Sequence, residues 1–542
     1  MTRGRESSRR AMVVTPQPEA TECGAEIIAA GGNAVDAAIA AAFVQGVVDP
    51  LMCGIAGFGS MAVWQAADGA HEYVDFHAPA PAAARPDMWE DLIEGEARDG
   101  YGFVLRGRVN DIGYRSICVP ASLRAYATAH ERHGRMPWAE LLSHAIGWAR
   151  GGWVVRPHVH GWWSIPSEMG RTANSERIAH TPASRALYCR EDGTPKQVGD
   201  PVRNPDLGAV LETIARDGAD AFYTGDIAAA IAADMRANDG LITAEDLASY
   251  RARIARPIET EYRGHRVTTN RPPGGGLMLA EMLNILERFD LSAMGHNSAE
   301  YLRTVAEAMK WATIDKDRHI GDPDFVEVPV ERLLSKAHAA ALAERIRSGE
   351  KAEVPRFSPA GPSRDTTQIC VVDRDGSCVS MTHSLGMPSG VVTEGLGFMY
   401  NGCMGVFDPR PGRAGSIAPG KARFSSICPT IIFRDGAPRL VIGAPGATQI
   451  AMGVLQAVLN VIDFGASMSD AVAWPRFSAT SDMIDVTNRI PHGVTRALEH
   501  EGYEIVRSPT SYGIAWVHGI LLTDDGPQGG ADPATDGMAM SC

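Results

Sequence analysis

Two tight-turn hairpins in the last third of the chain constrain its fold more than any other feature. TTQICVV (366–372) and SCVSMTHS (377–384) are β-prone runs joined by DRDG, and PTIIF (429–433) and RLVIG (439–443) flank RDGAP. Asp-Gly supplies the residues that accept the backbone angles a two-residue hairpin turn needs, so both pairs commit the region to antiparallel sheet. Thr366 opens the first of these strands. The last strand runs through APGATQ into the helical stretch AMGVLQAVLNVI. A strand, a Gly turn and a helix N-terminus in that order make a corner suited to an anion.

Upstream, TECGAEIIAAGGNAVDAAIAAAFVQGVV (21–48) has helical spacing and a high Ala content, and LMCGIAGFGSMAVWQ (51–65) changes period. An alanine-rich helix packed closely on a sheet is expected there. From Val119 to about Gly349 helical patterns dominate, among them PASLRAYATAHERHG and TAEDLASYRARI, interrupted by RPPGGGL at 271–277. This middle section is expected to form a helical layer. EKAEVPRFSPAGPSRD (350–365) is polar and rich in Pro, Gly and Ser, as an exposed loop is, and a boundary is placed there.

The 542 residues are 45% hydrophobic and 21% charged, enough apolar surface for a sizeable core, which excludes wholesale disorder. A net charge of -14 has the wrong sign for neutralising phosphates, so no nucleic-acid partner is expected. Nine cysteines, an odd number without a CxxC pair, point to a reducing compartment, and a cytoplasmic location is expected. The basic N-terminus is not followed by an apolar signal region. The greasiest segments carry Asp36, Gln45, Gln456 and Asn460 and fall short of the roughly 20 apolar residues that span a bilayer, so no membrane association is expected.

A threonine hydroxyl is a poor nucleophile, but as the first residue of a chain it has its own α-amine to take the proton. That amine titrates at about 7.7 to 8.0, so no His or Asp partner is required. The loop ending at Asp365, followed by Thr366, puts a breakable bond in the right place. Attack of the Thr366 hydroxyl on the Asp365 carbonyl would give an ester that water resolves. The blander reading is that two threonines open a strand for which Thr has good propensity.

Several stretches, in order, decide between these readings: AAGGNAVDAAIAAAF, ITAEDLASYRARIARPIETEYRGHRV, RPPGGGLMLAEMLNILE, DTTQICVVDRDGSCVSMT, RFSSICPTIIF, GAPGATQI and AVAWPRF. Together they resemble the γ-glutamyltranspeptidase family of N-terminal nucleophile hydrolases, over about Ala11 to Asp536. The resemblance implies an α+β fold, a four-layer αββα sandwich. It also implies a precursor that cleaves itself into a large chain (1–365) and a small chain (366–542), with Thr366 as nucleophile. Gly446 and Ala447, the latter where the family usually has a second Gly, would supply backbone N–H groups to the oxyanion. Ser425 and Ser426 match a serine pair that binds the substrate carboxylate. Thr382 and Ser384 fall where the family has threonines, the second of which supports the nucleophile and assists self-cleavage.

The departures concern the acyl pocket. Members that bind a γ-glutamyl group place an Arg after Asp-Phe, and here VDFHAPAP puts His77 there, losing a bidentate fork. The positions that read the α-amino group and its surroundings align with Gly386, Cys403 and Val406, with Asp408 as a substitute if the register shifts. Charge-assisted hydrogen bonds are worth roughly 1.5 to 3 kcal/mol each, so their loss argues against a γ-glutamyl substrate. The expected function is therefore a self-processing amidohydrolase acting on a small-molecule amide through an acyl-Thr intermediate, with another acyl group. The alternatives are a γ-glutamyl hydrolase or transpeptidase with a rebuilt pocket, and an inactive binding protein of the same fold. No cofactor is expected. His158 and His160 in RPHVHGWW read as a packed loop, so no metal is assigned; Cys53 and Cys403 read as buried thiols.

Overall fold

The computed structural model describes residues 10–97, 100–167, 171–356 and 366–542. Thirteen strands build its two principal sheets. Those from the first part of the chain are β1 (Met12–Thr15), β2 (Phe58–Trp64), β3 (His71–Phe76), β4 (Arg253–Ala255), β5 (Ile258–Tyr262) and β6 (His265–Thr269). After residue 365 come β7 (Thr367–Val372), β8 (Cys378–Ser384), β9 (Thr430–Arg434), β10 (Ala437–Gly443), β11 (His518–Thr523), β12 (Gly526–Gly530) and β13 (Met538–Ser541). The larger sheet has the order β13-β1-β7-β8-β2-β3-β4 and the smaller β12-β11-β10-β9-β6-β5. Every pairing in both sheets is antiparallel.

Both expected hairpins form. β7 pairs with β8 from Thr367 opposite His383 to Val372 opposite Cys378. β9 and β10 are joined by Asp435 (φ 52°) and Gly436 (φ 80°), the two consecutive positive φ values of a two-residue turn.

Alternation along β7 and β8 separates two cores. Ile369, Val371, Val379 and Met381 face helices, whereas Cys370, Val372 and Cys378 face the second sheet, meeting Ile431, Phe433, Val441 and Ile520 there. The helical side holds α1 (Pro18–Ala29) and α2 (Ala34–Val48). Asn33 caps α2 and Asp36 returns the bond to the Asn33 backbone. All of α2 but Gly46 is buried, which its small Ala side chains permit between sheet and neighbouring helices. Outside the second sheet lie α3 (Gly276–Leu286) and α4 (Ile450–Ile462), and behind α3 the helices α5 (Ala299–His319) and α6 (Lys336–Arg347). The layers are helix, sheet, sheet, helix, the αββα arrangement.

The middle section is not purely helical. TAEDLAS forms Ala244–Ser249, capped by Thr243, but ARIARPIETEYRGHRVTT supplies β4, β5 and β6. The period is legible in IETEY, where Ile258 and Tyr262 are buried and Glu259 and Glu261 exposed, an alternation of two masked by the helical patterns on either side.

Candidate active site

Thr366 lies one residue before β7. One further step of the β7–β8 register sets it opposite Ser384, and the Thr366 hydroxyl donates to Ser384 Oγ at 3.1 Å. Ser384 Oγ also accepts the Gly386 N–H at 2.7 Å, which fixes the serine rotamer. Gly386 has φ 65°, and a Cβ there would sit 3.2 Å from the Arg423 guanidinium and 3.3 Å from Cys403 Sγ. Thr366 is 4% exposed and has φ 126°, a conformation that costs a residue with a side chain about 1–3 kcal/mol.

Toward the site the gap between the sheets turns polar. The Gln368 side-chain amide donates to Ser380 Oγ at 3.0 Å, and Thr382 Oγ1 donates to Gln368 Oε1 at 2.5 Å. Thr382 is fully buried in that exchange.

β10 leads into the glycine corner. Gly446 has φ 144°, and a Cβ there would lie 2.7 Å from the Ala515 backbone, so only glycine fits. Ala447 follows with φ 50°. Gln449 N–H bonds the Gly446 carbonyl at 2.9 Å and α4 starts at Ile450. Among the described residues, neither the Gly446 nor the Ala447 N–H is engaged by a protein acceptor. Two free, adjacent amides beside a helix start are the donor arrangement an oxyanion needs.

Ser425 and Ser426 are held from behind by the RPPGGGL loop. Ser425 N–H donates to the Pro273 carbonyl at 2.9 Å, Gly275 N–H to Ile427 O at 2.8 Å, and a Cβ on Gly275 would lie 2.4 Å from Ser426 O. One narrow pocket has Thr366, Ser425, Ser426, Ala447, Arg423 and Phe58 in its lining, and Tyr101, Val406 and Thr448 are also in its wall.

The other expected residues are placed as follows. His77 is buried, with Nδ1 2.5 Å from Asp75 Oδ1, and lines a separate, wider cleft with Tyr250 and Arg253. Burial would raise the Asp75 carboxyl, but His77 beside it outweighs that and holds it below the usual carboxylate range. Cys403 is fully buried, its thiol pushed up by burial. Asp408 is bound at both oxygens by Arg410 (2.9 and 2.7 Å) and faces another cleft with Glu96, Asp317 and Arg356. Both wider clefts exclude Thr366 and the glycine corner, so size is no guide here. Asp365 lies outside the described residues.

Sequence reasoning passed over Arg423 and Phe58. The signal for Arg423 was in RFSS, a cation two residues before the serine pair. Phe58 had none, because it reaches the pocket from β2. His158 lies in a short helix, Pro157–Trp163, and packs against Trp516, the ring centroids 4.9 Å apart. Glu281, Asp315 and His338 form the one group of three metal-capable side chains among the described residues. It sits among α3, α5 and α6, where His338 Nε2 is 2.8 Å from Asp315 and 3.2 Å from Glu281.

No helix among the described residues is long and apolar enough to cross a membrane. The family model for gamma-glutamyltranspeptidase matches residues 20–542. The Acylase ACY 1 proenzyme of Pseudomonas sp. (strain V22) is 38% identical over 527 residues, covering 96% of this chain and 91% of its own length. The glutathione hydrolase proenzyme of Escherichia coli (strain K12) is 32% identical over 546 residues, covering 97% and 90%. Among solved structures, cephalosporin acylase from Bacillus halodurans superposes with a TM-score of 0.86 at 28% identity, covering all of this chain and 97% of that one.

Proposed function

The chain belongs to the gamma-glutamyltranspeptidase family, and on that premise we propose that it is a self-processing amidohydrolase with Thr366 as nucleophile and an acyl group other than γ-glutamyl. The observation that carries the reading is that one pocket gathers Thr366, the Ser425–Ser426 pair and Ala447 of the glycine corner.

The hydroxyl of Thr366 first attacks the Asp365 carbonyl carbon, the Asp365–Thr366 C–N bond breaks, and its nitrogen takes a proton to become the α-amine. Water then hydrolyses the Asp365 ester, leaving Thr366 at the head of the small chain. The positive φ at Thr366 favours the step, since strain held in the intact backbone is released when the bond opens. In turnover the α-amine takes the hydroxyl proton as Oγ attacks a substrate amide, and the N–H groups of Gly446 and Ala447 meet the oxyanion. The same proton passes to the leaving amine. Water activated by the α-amine hydrolyses the acyl-Thr ester. Ser384 accepts the Thr366 O–H in the intact chain, aligning the nucleophile before the bond opens.

Two features argue against γ-glutamyl: His77 lines a different cleft, and Asp408 is occupied by Arg410. The name of the Pseudomonas relative, an acylase proenzyme, points the same way. Denaturing gel electrophoresis with N-terminal sequencing tests the proposal. Purified protein is expected as two pieces, 1–365 and 366–542, the smaller beginning with Thr366, while Thr366→Ala stays one band and hydrolyses nothing. A single intact band from protein that turns over an amide would overturn it.

A further inference from the structure

Glu281, Asp315 and His338 come together from three helices of the outer layer, α3, α5 and α6. His338 is 57 residues from Glu281 and 23 from Asp315 in the chain, so no local motif announces the group. Glu281 is fully buried, yet only one of its carboxylate oxygens is used. Oε1 lies 3.2 Å from His338 Nε2, which aims the carboxylate into the group, and Oε2 has no hydrogen-bond partner among the described residues. A carboxylate oxygen taken out of water without a partner is costly. The neighbouring cations do not meet it. Arg332 Nη2 stays 3.8 Å from Asp315 Oδ1, His319 Nε2 is 3.7 Å from the same oxygen, and Lys336 is drawn to Glu287 at 2.6 Å. Among the described residues, His338 alone reaches both carboxylates.

An imidazolium bridge would serve one oxygen of each carboxylate and leave Glu281 Oε2 unserved; a divalent ion can serve the whole carboxylate. Ligand atoms about 2.0–2.2 Å from one metal stand roughly 3 Å from one another. His338 Nε2 is 2.8 Å from Asp315 Oδ2 and 3.2 Å from Glu281 Oε1, and the three donor atoms all lie within 4.8 Å of one another. Glu281 is sealed in, while Asp315 and His338 keep 12% and 17% of their side chains exposed, which leaves a way in for an ion. We infer that Glu281, Asp315 and His338 bind one divalent ion of the zinc type, which staples α3, α5 and α6 together. One imidazole with two carboxylates suits such a borderline ion better than the all-oxygen sets that calcium and magnesium prefer. His319, one turn after Asp315 on α5, stands close enough to swing in as a fourth ligand. The site is separate from the proposed chemistry, since none of its residues is in the lining of the pocket that holds Thr366.

The test uses the full purified protein, stripped with a chelator and dialysed against zinc chloride, with calcium and magnesium chlorides as comparisons. Wild type is expected to take up one zinc ion per chain at this site with a Kd of about 1 μM or below. Glu281→Gln and His338→Gln are each expected to weaken that binding about 100-fold. Circular dichroism and gel bands matching wild type establish that a variant folds. No zinc uptake by wild type, uptake unchanged in a folded variant, or calcium or magnesium bound more tightly than zinc would each overturn the inference. Crystals of wild type grown with zinc give a readout that needs no variant. Anomalous scattering at the zinc edge is expected to show a peak among the three side chains, and its absence there overturns the site. Zinc at roughly 100 times Kd is also expected to raise the melting temperature by about 2 °C, by mass action on a chain of this length. An equal rise in Glu281→Gln or His338→Gln would assign the stabilisation to zinc held elsewhere and overturn the staple.

Discussion

The chemistry of this protein turns on which hydroxyl meets which neighbour. Thr366 is one of many threonines, and only the cross-strand position of Ser384 and the register that puts it there single it out. Ser384→Ala removes the acceptor of the hydroxyl of Thr366, the proposed nucleophile. The loss of one neutral hydrogen bond, about 1 kcal/mol, is expected to slow self-cleavage about fivefold, measured as the decay of the full-length band after synthesis. Thr382, two residues away, is committed to Gln368 inside the sheet gap, and Cys403 and Asp408 are committed to their own surroundings. Sequence could nominate these side chains but not say which of them face the pocket, because a one-residue change of register reverses the face.

At the scale of elements, the strand-to-helix corner and the RPPGGGL loop shape the pocket by close backbone approach. The corner is legible in the sequence, since APGATQ between a strand pattern and a helix pattern states its own geometry. Gly446→Ala combines a disfavoured φ with a Cβ 2.7 Å from Ala515, and it is expected to destabilise by about 2 kcal/mol or more and to abolish turnover. Thermal melting and amide hydrolysis measured on the same sample check this. The loop was legible only as a break in a helical region. Its use, backing the serine pair from more than 150 residues away, needs the second sheet to be assembled first.

The whole molecule interleaves the two segments on either side of residue 365. β1 from the first segment lies between β13 and β7 from the second, and β6 is hydrogen-bonded to β9. After processing, the two pieces are expected to run as one species in native size exclusion and to separate only in denaturant; dissociation in plain buffer would contradict this topology. The assembled sheets also enclose His383, whose Nδ1 is 2.7 Å from the Tyr126 hydroxyl and whose Nε2 is 2.6 Å from Gln45 Oε1. Burial lowers it to about 3, and His518 is likewise lowered to about 3 by burial. The unfolded chain takes up protons on both residues below about 6.5, which the folded chain resists, so stability is full above that pH and is lost as pH falls toward 3. The melting temperature is expected to drop between pH 7 and 4, and His383→Gln to flatten part of that slope. Sequence alone determined what is written in short windows: the two hairpins, the glycine corner, the alanine-rich helix and the residues that mark the family, because turns, caps and periods are local. The tertiary structure alone decided that Arg423 and Phe58 share a pocket with Thr366 while His77 and Asp408 do not. Those proximities come from strands far apart in the chain, and no local rule encodes which buried charge is left without a partner.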